Sequence, residues 1–337
     1  MPDRRRLDHG HVIAALMAEK DLAEQQPAPS RFGALHWAAF LLLLAAVLLA
    51  CVTPALARDR KAAKAVPAPV VAAVEPPSPQ ALAMLDAAIA EGRLADARAM
   101  IAPMWAADSI EVALRGAELA MASGSLVEAV DGFTALTDGA MAARAWQGLG
   151  IARLKQGRLA DAVTALDKAV QLDPGLARAW NARAVVADRQ KDWAAADAAY
   201  AKAIAAAPAD SAVLANRGWS NLLRGHHVAA ERDLERALAM TPTDQVMRTN
   251  LALARAMQGR YQDAFRNSDR KHLAADLNSV GYAAMARGDL AVAEAYFNRA
   301  LSLNPQFDRA AWANLQYLAE IKAQSGAQGG PKTEAKP

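Results

Sequence analysis

The sequence predicts an all-α solenoid of stacked two-helix units, and three observations carry that prediction. Hydrophobic residues make up 54% of the chain and aromatics only 5%, with alanine dominating the apolar share. Alanine is the best helix former, and its small side chain lets helices pack closely. From residue 143, six residue classes recur together at a spacing of 34 residues. The single cysteine, Cys51, excludes an intrachain disulfide, so the folded part is held by packing. At 337 residues the chain is long enough for two ordinary domains or one long repeat array. A net charge of +3 over 38 basic and 35 acidic side chains is near balance. It shows none of the concentrated basic patch with stacking aromatics that nucleic-acid binding needs.

Residues 1–31 form a polar, mixed-charge tail. Residues 32–57 read as a signal or transmembrane segment: Trp37 to Val52 is an unbroken apolar run, extended by Phe32–Leu35 with His36 the one interruption. A helix crosses a bilayer with about 20 apolar residues, so the run is long for a signal core and slightly short for a span. Pro54 and Ala55-Leu56-Ala57 supply a cleavage-like pattern. Leu48-Leu49-Ala50-Cys51 resembles a bacterial lipobox, which implies lipidation at Cys51, although Leu49 is larger than that motif prefers. Cleavage, lipidation at Cys51 and retention as a span stay open. The basic residues nearest the run, Lys20 and Arg31 before it and Arg58, Arg60, Lys61 and Lys64 after it, favour a cytoplasmic carboxyl side for an uncleaved segment. Residues 58–80 carry Pro67, Pro69, Pro76, Pro77 and Pro79 among alanines and valines. They read as an extended tether at about 3.1 Å per residue.

Residues 81–322 are the expected solenoid. Trp146, Trp180 and Leu214 share one position, and Gly150, Ala184 and Gly218 the next. Ala162, Ala196 and Ala230 follow, then Leu166, Tyr200 and Leu234, then Ala169, Ala203 and Ala237, and last Pro174, Pro208 and Pro242. This order and period resemble the tetratricopeptide repeat (TPR). The resemblance implies a right-handed superhelix of helical hairpins in which the first helix of each unit lines a concave groove. The small residues let paired helices approach, the proline blocks further helix, and neighbours stack because one hairpin cannot bury its apolar face alone. Residues 143–305 hold the clear repeats. Leu251-Ala252 and Ala264 keep register, but Ser268 and Lys271 fall where Leu and Ala belong. The next unit, Val280-Gly281, Ala293, Phe297, Ala300 and Pro305, arrives early, which predicts a shortened second helix near 265–273. Residues 81–137 read as two divergent hairpins with turns at Glu91-Gly92-Arg93 and Gly124. Residues 308–322 read as a capping helix and 323–337 as a disordered tail.

No phosphate loop, metalloprotease helix or nucleophile elbow is present. His226-His227 sit in an inter-helix turn without partners at ligand spacing. The expectation is a non-enzyme with no cofactor, metal or small-molecule substrate. Carrying the TPR register over places Gln147, Ile151, Leu154, Lys155, Val185, Asp188 and Leu253 in the groove. The candidate protein- or peptide-binding residues are Asn181, Arg189, Asn216, Trp219, Leu222, Asn250, Met257, Asn278, Tyr282 and Met285. The asparagine row offers donors and acceptors to an extended backbone, or else bonds within the array. The Trp and Met side chains offer an adaptable apolar floor, or else core packing. The order of anchor, Pro-rich tether and repeats looks like bacterial assembly lipoproteins. Leu277-Asn278-Ser279-Val280-Gly281-Tyr282, with Gly288-Asp289 and Ala293-Glu294, is similar to repeats of the TadD-type TPR lipoprotein of tight-adherence (Flp) pilus assembly. The resemblance implies an envelope adaptor with periplasmic repeats and a membrane contact through residues 32–57. An inner-membrane chaperone for cytochrome c maturation or outer-membrane protein assembly, and a cytoplasm-facing regulatory subunit, are the alternatives.

Overall fold

The structure is a computed structural model that describes residues 76–107, 109–303 and 309–328. The tail 1–31, the apolar segment 32–57 with Cys51, most of the tether, Pro305 and residues 329–337 lie outside the described residues. The described elements are all helical: α1 (Pro79–Ala90), α2 (Leu94–Ile101), a 3₁₀ turn (Ala102–Ala107), α3 (Ile110–Ala122), α4 (Leu126–Thr134), α5 (Ala142–Lys155), α6 (Leu159–Leu172), α7 (Ala177–Arg189), α8 (Trp193–Ala206), α9 (Ser211–Leu223), α10 (His227–Met240), α11 (Gln245–Met257), α12 (Tyr261–Ala264), α13 (Leu273–Arg287), α14 (Leu290–Leu303) and α15 (Arg309–Gln328). They pair as seven consecutive hairpins followed by one lone helix.

The repeat positions explain the pairing. A Cβ added at Gly150 would lie 2.6 Å from Leu166 Cγ, and one at Gly218 2.8 Å from Leu234 Cγ. These glycines therefore set the closest approach of α5 to α6 and of α9 to α10. Ala162, Leu166 and Ala169, like Ala196, Tyr200 and Ala203, are buried where the period places them. Pro174, Pro208 and Pro242 each stand two residues beyond the end of α6, α8 and α10. Asp192, Asp210 and Asp244 cap the helices that follow them, accepting from Ala195, Val213 and Met247 N–H.

The turn inside each hairpin needs one residue in the left-handed region. Glycine supplies it at Gly92, Gly124, Gly157, Gly225, Gly259 and Gly288, and in the fourth hairpin Lys191 takes it with φ 60°.

Successive first helices touch one another: α3 packs on α5, α5 on α7, α7 on α9, α9 on α11 and α11 on α13. Each first helix also receives the second helix of the hairpin before it where that helix is full length, as α6 does on α7 and α10 on α11. The odd-numbered helices thus form one continuous layer and the even-numbered helices a second, less connected one.

The shortened unit lies where the register breaks. Its second helix, α12, is a single turn of 4 residues. Tyr261 and Phe265 then fill the missing volume against Tyr296 of α14, with ring centroids 6.1 and 5.5 Å apart. Tyr261 also donates to Asp289. Arg287 bonds back to the Met257 carbonyl at 2.9 Å, closing the end of α11. The last helix runs on to Gln328, past the expected boundary at 322, because alanines and glutamines continue the helix and no proline intervenes before Pro331.

Candidate functional site

The first-helix layer is where the expected binding residues fall, and the structure divides them into two groups. Asn181, Asn216, Trp219 and Asn250 are half-buried and Arg189 is exposed. Leu222, Met257, Tyr282 and Met285 are core, at 1%, 6%, 7% and 2% exposure. The expected apolar floor therefore narrows to Trp219. The reason for Leu222 is register: Trp219 and Leu223, one turn apart, share the open face of α9, and Leu222 points inward from it. For Met257 and Met285 the reason is the truncated α12, which leaves α11 and α13 packed closely on each other. Asp188, Leu154 and Leu253 are buried as well.

The asparagines join one another across hairpins. Asn216 donates to Asn181 Oδ1 at 3.2 Å, and Asn314 of α15 donates to Asn278 Oδ1 at 2.9 Å. The Asn250 side chain makes no hydrogen bond among the described residues. Each bonded pair keeps amide positions free, since an amide carries two donors and an acceptor with two lone pairs.

Three buried acidic clusters hold the layers in register behind this face. Asp188 accepts from Tyr200 at 2.8 Å and Ser220 at 2.6 Å, tying α7 to α8 and α9. Burial pushes its carboxyl above the usual range, and those two hydrogen bonds offset only part of the rise. Burial also drives the Tyr200 hydroxyl upward, assisted by the Asp188 charge. Glu231 sits among Arg255, Gln258 and Arg260 at 3.0, 2.8 and 2.6 Å. Its burial acts to raise the carboxyl, but the Gln258 and Arg255 bonds and the two guanidinium charges outweigh it, leaving Glu231 below its ordinary value. Arg217 grips the buried Asp233 with two bonds of 2.8 and 2.7 Å. Each of these clusters is closed on itself, and each ties first helices to their neighbours.

The open face has a repeating chemistry. On α5 it carries Arg144, Gln147, Ile151 and Lys155. On α7, 34 residues later, it carries Arg178, Asn181, Val185 and Arg189. The common spacing places each set along one side of its helix. Arg178 was not singled out from the sequence, although its spacing from Arg144 is the signal that finds it. Arg144 pairs with Glu118 at 3.1 Å, whereas Lys155, Arg178 and Arg189 have no acidic partner among the described residues. Arg189 reaches the Leu154 carbonyl at 3.4 Å, which sets its guanidinium beside Lys155.

Among the described residues no cluster of three or more potential metal ligands occurs, and no helix is long and apolar enough to cross a membrane. The molecule so described is a solenoid of helical hairpins with one helical layer open. Residues 82–177, 148–211 and 277–307 match family models described as tetratricopeptide repeat, so these stretches of the solenoid are tetratricopeptide repeats. It is similar to a chain of the APC/C hetero-tetramer Cut9–Hcn1, with 14% identity, a TM-score of 0.57, and coverage of 70% of this chain and 48% of that one. The chain thus spans about half the length of that relative. It is also similar to YrrB, described as a TPR protein with an unusual peptide-binding site (18% identity, TM-score 0.44, 56% of this chain and 99% of that one). A third likeness is to Pseudomonas aeruginosa pilF (21% identity, TM-score 0.41, 55% of this chain and 86% of that one). At these identities the likeness concerns the fold alone. No curated protein matches the sequence significantly.

Proposed function

We propose that this protein is an adaptor whose first-helix layer holds an extended segment of a partner protein. The observation that carries the proposal is the open face of α5, α7 and α9. There, half-buried amides, one tryptophan and exposed cations line up across three hairpins, and the buried clusters behind them keep that alignment fixed. A preorganised face of this kind binds a flexible chain without the added cost of ordering itself. The finer reading is attachment to a bacterial envelope through residues 32–57, with the repeats periplasmic, in service of an assembly such as a tight-adherence pilus. It is supported by the apolar run, the Leu48–Cys51 pattern and the Pro-rich tether.

Site-specific photo-crosslinking from Asn216 in the native envelope tests the adaptor. Trp219→Ala is expected to reduce partner capture about tenfold or more, as hot-spot aromatics do, with helicity and melting nearly unchanged. Unchanged capture would remove Trp219 from the site, and a large loss of helicity would make it core. Cys51→Ser, read by membrane fractionation, is expected to release the protein. Full membrane retention of that variant would exclude lipidation as the anchor.

A further inference from the structure

The open face is one-sided in charge. α5 carries Arg144, Arg153 and Lys155 and no acid, and α7 carries Arg178, Arg183 and Arg189 with one acid, the buried Asp188. The second helices carry the compensating acids. Asp167 of α6 takes Arg183 at 2.9 Å, Asp233 of α10 takes Arg217 at 2.7 Å, and Glu231 takes Arg255 at 3.0 Å. These pairs neutralise the cations that point between layers. Lys155, Arg178 and Arg189, which point away from the second layer, are left exposed and unmatched among the described residues.

A second, independent feature lies on the same face. Gln147 is 7% exposed, and its Oε1 has no hydrogen-bond partner. A buried acceptor left unsatisfied costs about 1–3 kcal/mol, a cost that an incoming N–H removes. Gln147 occupies on α5 the position that Asn181 occupies on α7, where the oxygen is already filled by Asn216.

We infer that the segment held by this face is acidic. This rests on the adaptor reading and gives it a chemistry: an extended polypeptide whose carboxylates pair with Arg189 and Lys155 at one end of α7 and with Arg178 at the other. Between them its backbone N–H meets Gln147, and its aliphatic side chains lie against Ile151, Val185 and Trp219. Arg178 and Arg189 lie eleven residues apart on one helix, about 16 Å by the helical rise of roughly 1.5 Å per residue. That distance corresponds to about five residues of extended chain, so the acidic residues stand about five positions apart. A polypeptide fits better than a nucleic acid. The half-buried amides suit a peptide backbone, and Trp219 is the one aromatic on the open side of α5, α7 and α9, whereas single strands are held on several stacked rings.

Three dye-labelled peptides with the same valine-rich spacer, ending in two glutamates, two lysines or two glutamines, test the inference by anisotropy against the full-length protein in detergent. The glutamate peptide is expected to bind at least about tenfold tighter than the lysine peptide at low salt, with the gap shrinking as salt rises. Lys155→Glu combined with Arg189→Glu is expected to invert that preference while circular dichroism stays unchanged. Gln147→Met is expected to weaken the glutamate peptide several-fold and to raise the melting temperature, a combination that a purely structural role would not produce. Equal binding of the glutamate and glutamine peptides, both released by Trp219→Ala, would sink the acidic segment and leave the adaptor standing. Failure of all three peptides to bind would overturn both. Tighter capture of a single-stranded oligonucleotide than of the glutamate peptide would overturn the choice of a polypeptide.

Discussion

The third to fifth hairpins and the sixth use the same repeat register and reach opposite outcomes. In α5 to α10 each unit has a full second helix, and the first-helix face stays half open, with Ile151, Asn181, Val185, Asn216 and Trp219 all partly exposed. In the sixth unit the second helix is one turn, and every side chain from Leu251 to Met257 on its first helix is buried. The comparison teaches that the outer layer keeps the inner face open. A full second helix spaces successive first helices, with Gly150 and Gly218 setting the contact. Without it the first helices close on each other, and the vacancy behind them is filled by Tyr261, Phe265 and Tyr296.

That difference is testable by removing one large side chain from each region. Leu166 is fully buried between α5 and α6 at a close-packed repeat position. Leu166→Ala is expected to destabilise by about 3 kcal/mol, as large-to-small changes at rigid sites do. Phe265 is half-buried in the looser joint, and Phe265→Ala is expected to cost about half as much, because that site has more freedom to relax. Urea unfolding monitored by circular dichroism measures both. Equal costs would mean that the aromatic joint is as tightly built as a regular hairpin, and the contrast between the two regions would fail.

The same contrast marks what was legible in the sequence. The strict period located α5 to α10, their prolines and the buried Leu166 and Tyr200, because one residue type recurring in one role is a strong signal. The break at Ser268 and Lys271 located the truncated helix. What remained illegible was which side of each first helix stays open. Leu222 and Trp219 are three residues apart, and both look like groove residues by spacing, yet only one of them is on the surface. Met257, Tyr282 and Met285 have groove register too, but their burial depends on how closely α11, α13 and α15 approach, a property of the neighbouring units. The orphaned oxygen of Gln147 depends likewise on its surroundings, whereas the cation at Arg178 was readable from its 34-residue echo of Arg144.

A smaller effect sharpens the picture of the regular region. Asp188 holds three helices together through Tyr200 and Ser220, and its carboxyl is raised by burial. A carboxyl raised in the folded state stabilises the fold fully below its unfolded value, here 3.8, and loses that contribution as pH rises through the folded value. Asp188→Asn lacks the titration. It keeps one acceptor and gains a donor for the Ser220 oxygen, so it is expected to cost about 1 kcal/mol at acidic pH. That deficit should shrink as pH approaches neutrality, where the wild-type carboxylate carries its desolvation penalty. Unfolding of both proteins in urea at several pH values gives the difference directly. A deficit that stays constant with pH, or widens, would show that the carboxylate is not penalised by its site.

The smallest expected effect concerns the turn where a lysine stands in the place of glycine. Six hairpin turns use glycine at φ between 73° and 84°, and the fourth uses Lys191 at 60°. A side chain in the left-handed region costs roughly 1 kcal/mol relative to glycine, partly returned because glycine raises the entropy of the unfolded chain. Lys191→Gly is therefore expected to stabilise the fold by about 0.5 kcal/mol, since the folded-state strain is the larger of the two contributions. Lys191 lies just beyond the Arg189 end of α7, outside the four positions of its open face, so binding of the glutamate peptide is expected to change less than twofold. Calorimetry and anisotropy on the one variant separate these outcomes. If the melting temperature falls, the turn is not strained. If peptide binding weakens severalfold with stability raised, Lys191 extends the cationic end of the groove, and the strain is retained for the charge it places there.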